Sequence, residues 1–81
     1  MRFIFTAIRK SDKSRLHLMN RDTQYNPWVI CWNYNPDNPT DQHWDWGTYI
    51  GTLKDALPIF HQKIAEHEFT DVFEGYKEVS R

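Results

Sequence analysis

All four tryptophans of this 81-residue chain lie within residues 28–46, and this concentration constrains the fold more than any other feature of the sequence. Residues 28–34 and 43–50 each alternate side chains with a period of two, which predicts two strands of a β-hairpin. In each strand the alternation places one set of large side chains on a common face. These sets are Trp28, Ile30, Trp32 and Tyr34 in the first strand, and Trp44, Trp46, Thr48 and Ile50 in the second.

The first strand of this hairpin is also apolar on its opposite face, where Val29 and Cys31 lie. A strand with two apolar faces is typical of the centre of a sheet, because both faces must be covered. Pro27 and Pro36 bracket the strand, since neither residue can donate a backbone hydrogen bond to a ladder.

An amphipathic helix follows the second strand. Leu53, Leu57, Phe60 and Ile64 recur at spacings of four, three and four, which is the period of one helix face. Thr52 is a candidate N-cap, with Asp55 at the third helical position. Pro58 lacks a backbone N–H, so we expect an irregular turn at 52–54 and a regular helix from about residue 55 to 67.

The rest of the chain supplies further strands. Residues 2–8 are apolar on both faces, and a shorter, half-buried strand carries Leu16 and Leu18. Residues 68–81 fit either a short helix capped by Thr70 or two strands around residues 74–75. We favour an extended or loosely helical tail that packs back on the sheet through its apolar side chains, which are Phe69, Val72, Phe73 and Tyr76.

These elements predict a single small α+β domain over residues 1–81. Its expected architecture is an antiparallel sheet of three or four strands with one principal amphipathic helix packed across it. The single cysteine, Cys31, excludes an intrachain disulfide, and the N-terminal apolar run is too short to span a membrane. We therefore expect a cytoplasmic protein that does not contact a membrane and is a monomer or a homodimer.

The sequence offers little that could carry chemistry. The histidines at 17, 43, 61 and 67 do not have metal-ligand spacing, so we predict no metal site and no cofactor. His43 and Asp45 lie two apart on a predicted strand, but no nucleophile or glycine-rich loop accompanies them. Cys31 lies among bulky apolar neighbours, where a thiol is usually inert. We expect no catalytic residues and a protein that is not an enzyme.

The aromatic hairpin and its connection form the predicted binding site. Residues 35–42 make a longer link than a hairpin needs, and prolines at 36 and 39 stiffen it. Rigid aromatic side chains rimmed by carboxylates are typical of protein interfaces and suit a basic patch on a partner such as a nuclease. The predicted partner-binding residues are Tyr34, Asp37, Asp41, Trp44, Trp46 and Tyr49.

An alternative hypothesis is a small domain that binds single-stranded nucleic acid. Aromatic side chains on a sheet can stack on bases, and a basic segment can track the phosphate backbone. Although the net charge is −1, six of the ten basic residues lie in positions 1–27. The candidate nucleic-acid or steering contacts are Arg9, Lys10, Lys13 and Arg15.

Two runs of the chain, residues 28–37 and 46–60, resemble the strand–loop–strand–helix of short proteins from bacteriophages and prophages. Many such proteins are found beside or among anti-CRISPR and other anti-defence proteins, which are commonly non-enzymatic. The resemblance implies a phage- or mobile-element-encoded inhibitor that occludes the surface of a bacterial defence or host protein. It assigns no functional residue.

Overall fold

The computed structural model describes residues 2–35, 37 and 43–78. Within these residues the chain forms five strands and one helix. In chain order they are β1 (Arg2–Ile8), β2 (Arg15–Asn20), β3 (Trp28–Trp32), β4 (Gly47–Ile50), α1 (Leu53–Glu66) and β5 (Asp71–Glu74). The strands form an antiparallel sheet in the order β4-β3-β2-β1-β5, and α1 packs against β2, β3 and β4. The predicted α+β class is confirmed.

The segment after the helix differs from the tail that the sequence favoured. β5 pairs with β1, and Val72 and Phe73 lie opposite Ala7 and Thr6. The strand ends at Glu74, and Gly75 after it has a φ of 72°, which glycine adopts more easily than other residues. Sequence periodicity could not settle this segment, because the edge of β1 that β5 completes lies more than 60 residues away along the chain.

The helix begins at Leu53, two residues before the start that we predicted. Thr52 is the N-cap, and its hydroxyl accepts a hydrogen bond from the backbone N–H of Asp55 at 3.2 Å. Pro58 lies inside the helix rather than in its first turn. Pro58 has no N–H to donate to the Lys54 carbonyl, which therefore lacks its usual hydrogen bond within the helix. Both residues are exposed, so water can donate to that carbonyl instead.

The face of the sheet beneath α1, called here the helix face, carries the larger core. Phe60 and Ala56 are buried at its centre, and the Phe5 ring stacks on Phe60 with 6.0 Å between centroids. Leu57 and Ile64 are half-buried against the same cluster, as the helical stripe predicts. The buried residues that the strands and the segment after the helix contribute are Ala7, Leu16, Leu18, Ile30, Ile50 and Phe69.

The opposite face, called here the far face, has its own apolar cluster. Met19, Val29 and Cys31 are fully buried there, although α1 lies on the other side of the sheet. Three aromatic side chains pack against this cluster: Phe3, Tyr34 and Trp44. The far face is therefore covered by side chains from strand ends and connections rather than by a second helix.

The predicted sheet faces of Tyr34 and Trp44 are wrong, because the two-residue alternation is interrupted near each residue. Tyr34 lies on the far face and not with Trp32, because Asn33 between them has a φ of 53° and interrupts the two-residue alternation. Trp44 lies on the far face and Trp46 on the helix face. The Trp32 carbonyl accepts a hydrogen bond from the Asp45 N–H, and the Trp32 N–H donates to the Trp46 carbonyl. Asp45 and Trp46 therefore both lie opposite Trp32, which is the arrangement of a β-bulge.

A third break lies in β1. Phe3 pairs with Met19 and Phe5 pairs with Leu18, so Ile4 is an extra residue on the β1 side of the ladder. This bulge places Phe3 on the far face and Phe5 on the helix face, although simple alternation would put both on one face. The bulge lets one strand contribute a phenylalanine to each of the two cores.

We predict that Phe60→Ala lowers the free energy of unfolding by about 3–5 kcal/mol, because it leaves a cavity at the centre of the helix-face core. Urea denaturation followed by circular dichroism measures the change. Lys54→Ala, at an exposed position of the same helix, is the matched control and should shift stability by less than about 0.5 kcal/mol. Equal stability of the two variants would contradict the helix packing.

Candidate functional site

The predicted partner-binding residues do not form one surface. Trp46 and Tyr49 are exposed, with 76% and 46% of their surface accessible, and they flank β4 on opposite faces. Tyr34 and Trp44 are half-buried in the far-face cluster. Asp37 is exposed, whereas Asp41 and most of the connection 36–42 lie outside the described residues.

The side chains of Trp44 and Tyr49 pack over Gly47. The Trp44 Nε1–H donates a hydrogen bond to the Tyr49 hydroxyl at 3.3 Å. A Cβ atom on Gly47 would lie 2.9 Å from both the Trp44 Nε1 and the Tyr49 Oη, closer than a Cβ atom approaches non-bonded atoms in proteins. The Arg21 guanidinium lies 4.5 Å from the Tyr49 ring centroid. Tyr49 is thus held in a defined orientation while almost half of it remains exposed.

Arg15 ties the far-face aromatics to the C-terminal segment. Its guanidinium donates to the Tyr34 carbonyl oxygen at 2.9 Å and to the Tyr76 hydroxyl at 3.0 Å. The Tyr76 hydroxyl in turn lies 3.3 Å from a Glu78 carboxylate oxygen. Arg15 therefore has a structural role in this arrangement and is not a free cation on the surface.

Arg9 is also held within the fold. Its guanidinium pairs with Asp12 at 2.6 Å, and that hydrogen bond holds the pKa of the Asp12 carboxyl well below its usual range. The same guanidinium lies 5.4 Å from the ring centroids of Trp32 and Phe69. Of the four predicted basic contacts, Lys10 and Lys13 are exposed at the β1–β2 turn, so the four do not act as one free basic arm.

His17 lies fully buried among far-face aromatics. Its ring stacks against Tyr76 with 5.6 Å between centroids and meets the Phe3 ring edge-on. The Thr6 hydroxyl donates its one proton to the Gly75 carbonyl at 2.8 Å, so the 3.0 Å contact with His17 must be donated by His17 Nδ1–H. His17 Nε2 then carries a lone pair and has no partner among the described residues.

Burial, together with the smaller effect of the positive charge of Arg15, lowers the pKa of His17 to about 3. The imidazole is therefore neutral in the folded protein at neutral pH. Burial also raises the pKa of the Cys31 thiol to about 12, so the thiol stays protonated at neutral pH.

β4 is the strand at one end of the sheet order, so one of its sides has no neighbour in the described sheet. The hydrogen bond between Trp32 and Trp46 fixes the ladder, and alternation then directs the N–H and C=O groups of Gly47 and Tyr49 outward. No residue of β4 is charged, whereas β5 at the opposite edge carries Asp71 and Glu74. Charged residues protect an edge from pairing, so β4 is the less protected edge.

A pocket of about 370 Å³ lies between β3, β4 and the C-terminal half of α1. Two tryptophans, Trp32 and Trp46, form its apolar walls, and Lys63 of α1 and the C-cap residue His67 supply polar groups. Ile30, Gly47 and Thr48 complete the lining. This volume is within the range of ligand pockets in proteins.

Other kinds of site find no support in the described part of the chain. No group of three or more histidine, cysteine, aspartate or glutamate residues there could hold a metal ion. No helix among the described residues is both long enough and apolar enough to cross a membrane.

Comparison with protein-family models, with curated proteins and with solved structures finds no match to this chain. The function must therefore be inferred from the geometry of its surfaces.

The pocket and the role of β4 as an edge were not predicted from the sequence. A signal for the pocket exists, since Lys63 and His67 are four apart and so share one face of a helix. Nothing in the sequence indicates that this face lies beside Trp46, because that contact depends on how α1 crosses the sheet. The absence of charge in residues 47–50 was visible but has meaning only once the strand order is known.

We predict that Gly47→Ala lowers the free energy of unfolding by about 1–3 kcal/mol, because the new methyl group forces Trp44 and Tyr49 apart. Thermal denaturation measures stability, and the Trp44 indole N–H resonance reports the hydrogen bond to Tyr49. Gly51→Ala is the matched control, since its Cβ would meet Asn26 at an ordinary 3.6 Å. Unchanged stability and an unchanged resonance in Gly47→Ala would contradict the arrangement.

We also predict that His17 makes the fold sensitive to acid. The pKa of His17 is about 3 in the folded protein and an ordinary 6.5 in the unfolded chain. Between pH 6.5 and pH 3 the unfolded chain therefore binds a proton at His17 that the folded protein does not, and the free energy of unfolding falls as the pH falls through this range. The expected loss from pH 7 to pH 5 is about 1–2 kcal/mol.

The matched variant for this measurement is His17→Asn, which keeps an N–H near the Thr6 hydroxyl but does not titrate. Urea denaturation at pH 7 and pH 5 gives the loss for each protein. The variant should lose less stability than the parent, and carboxylates such as Asp12 contribute equally to both. An equal loss would show that His17 is not the group responsible.

Proposed function

We propose that this protein is a non-enzymatic protein-binding module that pairs the open edge of β4 with an extended segment of a partner. The observation that carries this proposal is an uncharged edge strand with an exposed aromatic side chain on each face of the sheet, Tyr49 within the strand and Trp46 immediately before it. In such strand addition, main-chain hydrogen bonds supply affinity and side-chain contacts supply specificity.

The flanking aromatics suit this role because they are already ordered. Tyr49 is positioned by the Trp44 Nε1–H and by Arg21, so its ring loses little freedom when a partner covers it. Trp46 is the most exposed tryptophan and lies next to a pocket. Tryptophan and tyrosine are the residues most enriched among interface hot spots, with typical costs of about 2 kcal/mol or more on truncation.

The partner class is the narrower part of the proposal. The resemblance of residues 28–37 and 46–60 to phage and prophage proteins favours a bacterial defence or host protein, such as a nuclease, that is inhibited by occlusion of its surface. The dipolar charge pattern, with most basic residues in the first third of the chain, would act mainly on the rate of encounter. Occlusion requires no catalytic group, in keeping with a binding module.

The first experiment is an affinity capture from bacterial lysate with quantitative mass spectrometry, using the parent chain, Trp46→Ala and Tyr25→Ala. Tyr25 is the matched control because it is also 76% exposed but belongs to the β2–β3 connection and not to β4. We expect one protein to be captured by the parent and by Tyr25→Ala and lost with Trp46→Ala. The purified pair should then show a Kd raised about thirtyfold by Trp46→Ala.

A second pair of variants tests the backbone contact. Tyr49→Ala and Tyr49→Pro both remove the ring, but only the proline also removes an outward N–H, which an edge strand tolerates. Tyr49→Pro should therefore bind more weakly than Tyr49→Ala while the circular dichroism spectra agree. Equal binding by the two variants would overturn strand addition.

Salt separates this proposal from binding to nucleic acid. An interface of backbone hydrogen bonds and aromatic rings should change its Kd little between 50 and 200 mM salt, whereas phosphate contacts weaken steeply over that range. A Kd that rises by a factor of a hundred or more, together with capture of nucleic acid instead of protein, would overturn the proposal.

A further inference from the structure

We infer that the pocket beside β4 receives an acidic side chain from the partner segment, so that the segment recognised is an extended peptide with an aspartate or glutamate at one fixed position. This inference rests on the proposed function, because it assumes that a partner strand lies along β4. It adds the chemical class of the residue that the site selects.

The position of the pocket follows from the ladder. A strand added to β4 would lie about 4.8 Å from it, with alternate side chains on the helix face beside Trp46 and Thr48. Those two residues are part of the pocket lining, together with Lys63 of α1 and the C-cap residue His67. One side chain of the added strand is therefore directed towards the space between the indole of Trp46 and the α1 side chains.

Lys63 gives this space its preference for an anion. Its side chain is half-buried, lines the pocket and makes no ion pair with any described carboxylate. A lysine ammonium that lines a pocket without a charged partner favours a carboxylate there, because the two groups form a charge-assisted hydrogen bond. Arg9 differs in this respect, because Asp12 already pairs with it.

The end of the helix does not oppose a carboxylate as strongly as an open helix terminus would. Carbonyl groups at a helix C-terminus carry partial negative charge when they have no donor. Here the Lys63 carbonyl accepts from the His67 N–H at 3.0 Å, and the Ile64 carbonyl accepts from the Phe69 N–H at 3.0 Å. The Arg9 guanidinium donates to the His67 carbonyl at 3.1 Å and adds a positive charge at this terminus.

The apolar walls favour the stem of the same side chain. Trp32 is fixed by the Arg9 guanidinium at 5.4 Å and by an edge contact with the His67 ring at 5.0 Å. Trp46 on the other side is largely exposed in the free protein. The methylene groups of a glutamate would cover part of the Trp46 indole while its carboxylate reaches Lys63. Such a ligand would account for both an exposed tryptophan and a neighbouring lysine that has no ion pair with any described residue of the free protein.

The test is a selection from a displayed library of random linear heptapeptides on the full chain, on Lys63→Glu and on Lys54→Glu. Lys54 is the matched control because it is an exposed lysine at the other end of the same helix. Peptides selected on the parent and on Lys54→Glu should alternate β-branched or aromatic residues with polar ones and share one acidic position. Selection on Lys63→Glu should replace that acidic residue with lysine or arginine at the same position.

Isothermal titration calorimetry of the most enriched peptide then measures the contact itself. Lys63→Met keeps the length of the side chain without its charge and should raise the Kd about tenfold, the usual worth of a hydrogen bond to a charged group. Circular dichroism of each variant checks that the fold is retained.

The outcomes separate this inference from the proposed function. Peptides that alternate and depend on Trp46 but share no acidic position, or that keep it on Lys63→Glu, would overturn the acidic pocket and leave strand addition standing. Failure to enrich any peptide, or peptides that bind Trp46→Ala as well as the parent, would overturn both.

Discussion

Burial on both faces of β2 and β3 is the constraint on which the rest of this structure depends. Leu18 and Ile30 face α1, whereas Met19, Val29 and Cys31 are equally buried on the side without a helix. An apolar surface of that kind must be removed from water by some other part of the chain. In this protein the connections and strand ends supply the cover, through half-buried aromatic side chains such as Tyr34 and Trp44.

This use of aromatic residues decides which of them remain for binding. Trp44 and Tyr34 pack on the far face, and the backbone breaks at Asn33 and around residues 45–46 bring them there. The break around residues 45–46 also leaves Trp46 on the helix face, largely exposed beside the Lys63 side chain. Structural and candidate binding tryptophans are thus only two residues apart, and a local change of backbone geometry separates their roles.

The cations divide in a similar way. Arg9 and Arg15 look like surface charge in the sequence, yet both are joined by hydrogen bonds to distant parts of the fold, including the end of α1 and the segment after β5. Lys63, which was not among the predicted contacts, borders the pocket without an ion pair in the described chain. Charge counted along the sequence therefore says little about which charges are available to a partner.

The sequence by itself determined the elements whose signals are local. The apolar run of β3 and the stripe through Leu57 and Phe60 depend on period and on neighbouring residues, and both lie where they were predicted. Only the tertiary structure decided the pairing of β5, the faces of the aromatic side chains and the pocket. The physical reason is that one extra residue in a strand reverses every face beyond it, and that strand pairing depends on edges far away in the chain.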